Sequence, residues 1–268
     1  VGAGANACVL HYVANDGPVR DGDLVLVDAG AEYGGYAADI TRTFPASGRF
    51  GKEQRILHDL VCAAQAAALE QAQPGVPYQA GHDAAVETLT EGLLRNGLLK
   101  GRLAKNVADG SYRRFYRHKT GHWLGIDVHD VGEYRIEGES RLLEPGMVFT
   151  IEPGLYIPPD DTSVAAKWRG IGIRIEDDVL VTKDGHKVLT DGLARGAGLW
   201  EVDGDLFLER TVDYGRVGAG DTVPVEFAAT GSSQSSTGAA FAPWAPASML
   251  RASSTSRPGS ATSTRATA

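Results

Sequence analysis

The chain has 268 residues and a formal net charge of −8, from 26 Lys and Arg against 34 Asp and Glu. That length can bury one full single-domain core, and the acidic excess gives no electrostatic reason to expect nucleic-acid binding. Cys8 and Cys62 are its only cysteines, which argues against a disulfide framework and suits a reducing cytoplasm. No apolar run approaches the roughly 18–20 residues of a membrane span.

Leu24 to Gly30 reads as a strand running into a turn, and Tyr36 to Phe44 as the return strand, with Gly34-Gly35 between them. A hairpin symmetric about the gap between Tyr33 and Gly34 makes Asp28 and Asp39 cross-strand partners, with Cβ atoms about 4.5–5.5 Å apart. Like charges at that range destabilise a sheet. A cation between them reverses the sign, since two converging carboxylates clamp a hard metal. The plainer alternative is a solvent-facing pair beside a turn.

Residues 52–73 have helical spacing, with Ile56, Leu57, Leu60, Val61 and Ala64 on one stripe, and stop at Pro74-Gly75. A second helix is predicted over 78–95, ended by Asn96-Gly97, and a short third over 102–107. His58 and His82 fall on these helices without acidic neighbours at ligand spacing, and read as structural or surface residues. The segment from His118 to Asp130 then holds three of the seven histidines, His118, His122 and His129, among aromatic and apolar residues. A buried imidazole needs a partner, and a metal is one way to supply it.

The strand phrase recurs downstream. Gly22 to Gly30 aligns with Gly146 to Gly154 at an offset of 124, which places Asp28 on Glu152. A second acidic strand follows each phrase, with Asp39 in the first half and Glu176 in the second. The pattern predicts an internal duplication that builds one site from two similar hairpins. With the helices, it predicts antiparallel strands carrying the acids and helices packed on their outer face.

Asp28, Asp39, His122, Glu152 and Glu176, in that order and setting, resemble the five metal ligands of the dinuclear "pita-bread" metallopeptidases. His11-Tyr12, Asp39 to Phe44, His122 to Gly125 and Gly172 to Asp178 look most like bacterial aminopeptidase P, with prolidase the nearest relative and methionine aminopeptidase a more distant one. The resemblance covers about residues 1–190. It implies an α+β pita-bread (creatinase/aminopeptidase) fold with a pseudo-twofold repeat, and metal-dependent cleavage of the bond between an N-terminal residue and proline. The nucleophile it implies is a hydroxide bridging two divalent ions. The alternatives are Xaa-Pro dipeptide hydrolysis, as in prolidase, and a non-catalytic peptide-binding module. Four carboxylates and one imidazole suit Mn²⁺, Co²⁺ or Fe²⁺ better than a structural Zn²⁺ site, and the resemblance points to Mn²⁺.

The resemblance also implies roles. Asp28 would bind one ion, Asp39 and Glu176 would bridge, and His122 and Glu152 would complete the other ion's shell, with Glu152 moving the proton. His129 corresponds to a histidine near the scissile carbonyl, His11 and Arg174 to the proline side of the pocket, and His118 to a further active-site histidine. Arg174, two residues before Glu176 and on the same strand face, either touches substrate or orients a ligand carboxylate. For His118 a structural role stands equally open. Peptides with proline in second position are the implied partners, with neither nucleic acid nor membrane, and a homo-oligomer is implied for the full-length protein.

Three segments are expected: a catalytic domain over 1–192 that lacks its upstream part, including the sheet's first strand; a divergent segment over 193–230; and a tail over 231–268. The tail has Arg251, Arg257 and Arg265 but no Lys, Asp or Glu amid Ser, Thr, Ala, Gly and Pro. That composition cannot offset its ordering entropy, so disorder is predicted there.

Overall fold

The computed structural model describes residues 1–196. The expected divisions at 193–230 and 231–268 lie outside the described residues, apart from Leu193 to Gly196. Three strands form the first sheet: β1 (Gly2–Ala3), β2 (Leu24–Ala29) and, beyond the short β3 (Glu32–Tyr33) and β4 (Tyr36–Ala37), β5 (Ile40–Pro45). β1 pairs with β2 at Gly2–Leu26 and Ala3–Val25, so part of the β2 edge is met from within the chain.

The first hairpin departs from the expected register. Tyr33 faces Tyr36, and Asp28 faces Thr41 rather than Asp39. The turn is Gly34-Gly35, with φ of 60° and 83°. A two-residue hairpin turn that matches the strand twist needs φ > 0 at both central positions, which two glycines adopt freely. Centring it one residue earlier would force that conformation on Tyr33. Continuing the observed register places Asp39 opposite Gly30. The correction shifts the pairing by two residues, which preserves the face, so Asp28 and Asp39 remain diagonal neighbours on one side.

Three helices follow: α1 (Lys52–Glu70), α2 (Tyr78–Arg95) and α3 (Leu103–Ala108). α1 ends three residues short of the predicted 73, α2 coincides with its predicted bounds, and α3 is displaced by one residue. After β6 (Arg135–Ile136) and β7 (Glu139–Ser140), the second half is built from β8 (Val148–Ile151), β9 (Gly154–Ile157), β10 (Ile171–Arg174), β11 (Asp177–Thr182) and β12 (Gly185–Val188). β9 pairs with β10, and β8 with β11. Both pairings share one register across the break at Glu152-Pro153, where proline has no N–H for a ladder. Glu152 therefore stands directly opposite Glu176.

The duplication consequently maps differently from the sequence expectation. Arg174 faces Gly154 as Asp39 faces Gly30, and Glu176 is the counterpart of Thr41, not of Asp39. The core lies between the helices and the strands of the second half. Leu57, Val61 and Ala64 of α1 and Leu89 and Leu93 of α2 are fully buried together with Leu155, Ile157, Ile173, Ile175 and Val179. At about 1.5–3 kcal/mol per large apolar side chain, this cluster anchors the strands that carry the acids.

Candidate metal centre

The nine residues singled out above line one cleft of about 510 Å³. Donor atoms of Asp39, His122 and Glu176 lie within 4.8 Å of one another. His122 Nε2 is 3.4 Å from Asp39 Oδ2 and 3.7 Å from Glu152 Oε1. His122 Nδ1 lies 3.0 Å from the Trp123 carbonyl. A proton on Nδ1 satisfies that bond and leaves the Nε2 lone pair facing the carboxylates, the tautomer a metal ligand needs. Four carboxylates converge without enough donors: Glu176 Oε1 is buried with no hydrogen-bond partner. A divalent ion supplies the missing positive charge, so the donor set fits a hard metal.

The electrostatics tell the same story. Burial pushes the Glu152 carboxyl up to about 7, against the opposing pull of Arg174 and His122. Burial and the neighbouring Glu152, Asp39 and Asp28 hold Glu176 well above the carboxylate range. Asp28 is raised by burial and by Asp39, with Arg174 opposing. Burial pulls His122 down, but the Asp39 carboxylate and the Trp123 carbonyl outweigh it, and its pKa is raised.

A stability prediction follows with its sign. Glu152 and Asp178, both near 7 when folded, are above their unfolded values, so the stability they give as neutral groups is lost as pH rises through about 7. His122 loses its proton in the same direction. His58, His82 and His118, each held near 4 by burial, cost stability only below an unfolded value of about 6.5. Between pH 6.5 and 8 the metal-free protein should therefore melt at progressively lower temperature, and excess Mn²⁺ should abolish the decline. A flat melting temperature across that window, measured calorimetrically in chelator, would contradict it.

Around the acids sits a second layer of side chains. Arg174, 4% exposed, binds the Asp28 carboxylate, Thr41 Oγ1 at 3.1 Å and Tyr156 Oη at 3.1 Å. Thr41 Oγ1 donates to Glu176 Oε2 at 2.6 Å. His118 is 2.9 Å from Tyr156 Oη and 3.6 Å from Glu152 Oε2. The rings of His122 and His129 are 4.2 Å apart, and those of His129 and His11 6.3 Å, forming one wall.

The sequence reading missed several of these. His82 is no bystander: it lines the cleft and meets Thr120 Oγ1 at 2.8 Å, while Thr120 also bonds Tyr116. Tyr156 could have been found as the residue four beyond Glu152, on the same strand face. His58 is a buried core histidine bonded to the Thr43 carbonyl, as expected.

Two carboxylate-bearing hairpins related by an internal repeat bring their acids and one histidine together on one cleft, the donor set of a divalent-metal centre. The profile of metallopeptidase family M24 matches residues 1–183. The Xaa-Pro aminopeptidase of Haemophilus influenzae is 50% identical over 190 residues, 71% of this chain and 44% of that protein. Its Escherichia coli counterpart is 48% identical over 195 residues, 73% of this chain and 44% of that protein. The solved aminopeptidase PepP of Pseudomonas aeruginosa superposes with a TM-score of 0.74 at 55% identity, covering 75% of this chain and 46% of that one. The chain belongs to metallopeptidase family M24 and has the pita-bread fold. It spans less than half the length of the relatives it matches.

Among the described residues, no helix is long and apolar enough to cross a membrane.

Proposed function

We propose that this chain carries the catalytic centre of a Xaa-Pro aminopeptidase, which hydrolyses the bond between an N-terminal residue and a following proline. The carrying observation is the convergence of Asp28, Asp39, His122, Glu152 and Glu176 on one cleft, with a buried Glu176 oxygen left without a donor. Similarity to Xaa-Pro aminopeptidases at about half identity supports the same reading. These five residues would hold two divalent ions, with Mn²⁺ the native metal on this reading, and a zinc-substituted aminopeptidase P of E. coli among the similar structures supports such a site accepting Zn²⁺. Bound there, the ions would supply a water of lowered pKa and polarise the scissile carbonyl.

The chain's own groups do the rest. Glu152 accepts the proton of the attacking water and returns it to the proline nitrogen as the C–N bond breaks. His129 donates to the carbonyl oxygen as it gains charge, and His11, His118 and Arg174 line the proline side. Cys8 and Cys62, both free thiols, fit a cytoplasmic location.

The deciding assay is cleavage of Xaa-Pro-Xaa tripeptides by chelator-treated protein with and without added Mn²⁺. Metal-dependent release of the first residue supports the proposal; cleavage of dipeptides alone would replace it with the prolidase activity. His129→Ala should lower kcat by roughly 10²–10³-fold with metal content intact, because it removes a transition-state contact rather than a ligand. Loss of metal from that variant would place His129 among the ligands instead.

A further inference from the structure

The two hairpins meet along a seam. Arg174 N–H donates to Thr43 Oγ1 at 3.2 Å, and that hydroxyl donates to the Arg174 carbonyl at 2.9 Å. One step along, Glu176 N–H donates to the Thr41 carbonyl at 3.0 Å. The next step pairs Asp39 with Asp178 in the same antiparallel spacing. Here β5 has already left its ladder, and Asp39 sits opposite Gly30, where an added Cβ would lie 1.6 Å from the Ala38 carbonyl oxygen. Ala38 N–H bonds across to Ala31, so the alternation of an antiparallel pair turns the Asp39 N–H away from β2. It meets the side chain of Asp178, whose two oxygens accept it at 3.2 and 3.3 Å.

Asp178 is 3% exposed, and this N–H is the one hydrogen-bond donor its carboxylate has among the described residues. Its own N–H is held by Thr190 Oγ1 at 3.2 Å, and its strand is paired with β8 at Thr150. It is therefore fixed from the second half of the fold while gripping a residue of the first. Burying a carboxylate for a single long bond is costly, which asks for a purpose beyond folding.

We propose that Asp178 is a positioning residue: a side-chain rung closing the seam, it sets the Asp39 carboxylate relative to Glu176 and thereby sets divalent-metal affinity. What the position needs is a carbonyl-type acceptor for the Asp39 N–H rather than a further negative charge. The proposal rests on the metal-centre reading above and assigns no contact between Asp178 and the ions.

The test is calorimetric titration of Mn²⁺ into the full chain, stripped with chelator, for the parent, Asp178→Ala and Asp178→Asn. Asp178→Ala should weaken at least one Mn²⁺ by tenfold or more, within the 10–100-fold range of outer-sphere partners. Asp178→Asn, which keeps one acceptor oxygen, should stay within about threefold of the parent by the same reasoning. Parental affinity in Asp178→Ala, or equal weakening in both variants, overturns the proposal. If near-ultraviolet dichroism shows Asp178→Ala unfolded, Asp178→Asn decides alone: retained affinity supports the acceptor role and a tenfold loss overturns it. A parent chain that binds no Mn²⁺ overturns the metal-centre reading and this proposal with it, an outcome distinct from the variant results.

Discussion

Asp39→Asn is expected to leave fewer than two divalent ions per chain and to reduce Xaa-Pro cleavage below detection. Asp39 is the meeting point of the site: it lies diagonal to Asp28, 3.4 Å from His122 Nε2, and one rung from Glu176 along the seam. Two divalent ions at about 3.5–4 Å separation repel each other strongly, and on the proposed reading Asp39 would be one of the carboxylates that offsets this by bridging them. Asparagine occupies the same volume but has one acceptor oxygen, two N–H donors and no charge. It cannot bridge, and its amide donors would point at the cations. Because the substitution is isosteric and the site is already over-acidic without metal, the folded protein should survive, and metal-free Asp39→Asn should even melt slightly higher at pH 8 than the metal-free parent. Elemental analysis after dialysis gives the answer directly. Two tightly held ions in this variant would remove Asp39 from the ligand set.

The residues of the candidate site were legible from their placement rather than their types, since Asp and Glu together number 34. Acids ending apolar strands and histidines between glycine turns stand out whatever the register. α2 was legible to the residue because its ends are punctuated locally, by Pro77 before Tyr78 and by Asn96-Gly97 after Arg95. The hairpin register was not, although the glycine pair held the clue: both residues of the turn need φ > 0, which excludes Tyr33 from it. The seam was illegible for a different reason. Its rungs join residues 131 to 139 apart in sequence, and no local pattern announces a side chain standing in for a backbone partner. Asp177 and Asp178 looked like one acidic run after Glu176, yet alternation sends them to opposite faces. Asp178 reaches Asp39, and Asp177 turns away from the metal cleft into a buried polar hub.

That hub carries the second large effect. Arg42→Ala is expected to destabilise the fold by about 3–5 kcal/mol, the cost of breaking a buried ion pair from one side. Arg42 is 4% exposed, and all of its donor nitrogens are used. Nε donates to the Ala194 carbonyl at 3.0 Å; Nη1 donates to Thr41 at 2.9 Å and Glu176 at 2.5 Å; Nη2 donates to Leu193 at 3.0 Å and to Asp177 Oδ1 at 2.8 Å. Asp177, fully buried, also takes bonds from Gln65, Thr190 and Arg195. Alanine would strand the carbonyls of Glu176, Leu193 and Ala194, while that of Thr41 keeps the Glu176 N–H, and would leave Asp177 with Arg195 as its single cation among the described residues, itself 30% exposed at the side chain. Against a total stability of about 5–15 kcal/mol, the variant should lose much of its cooperative transition in urea. Arg42→Lys should recover little, since an ammonium has three donors and no planar fork to span β5, the start of β11 and the 193–194 backbone. Replacing the pair together, Arg42→Met with Asp177→Leu, should cost less than Arg42→Ala alone, because no charge is then buried without its partner. A loss under about 1 kcal/mol for Arg42→Ala in urea melts would mean that the hub is dispensable, and that β8, β10 and the helices alone hold Glu176 in place.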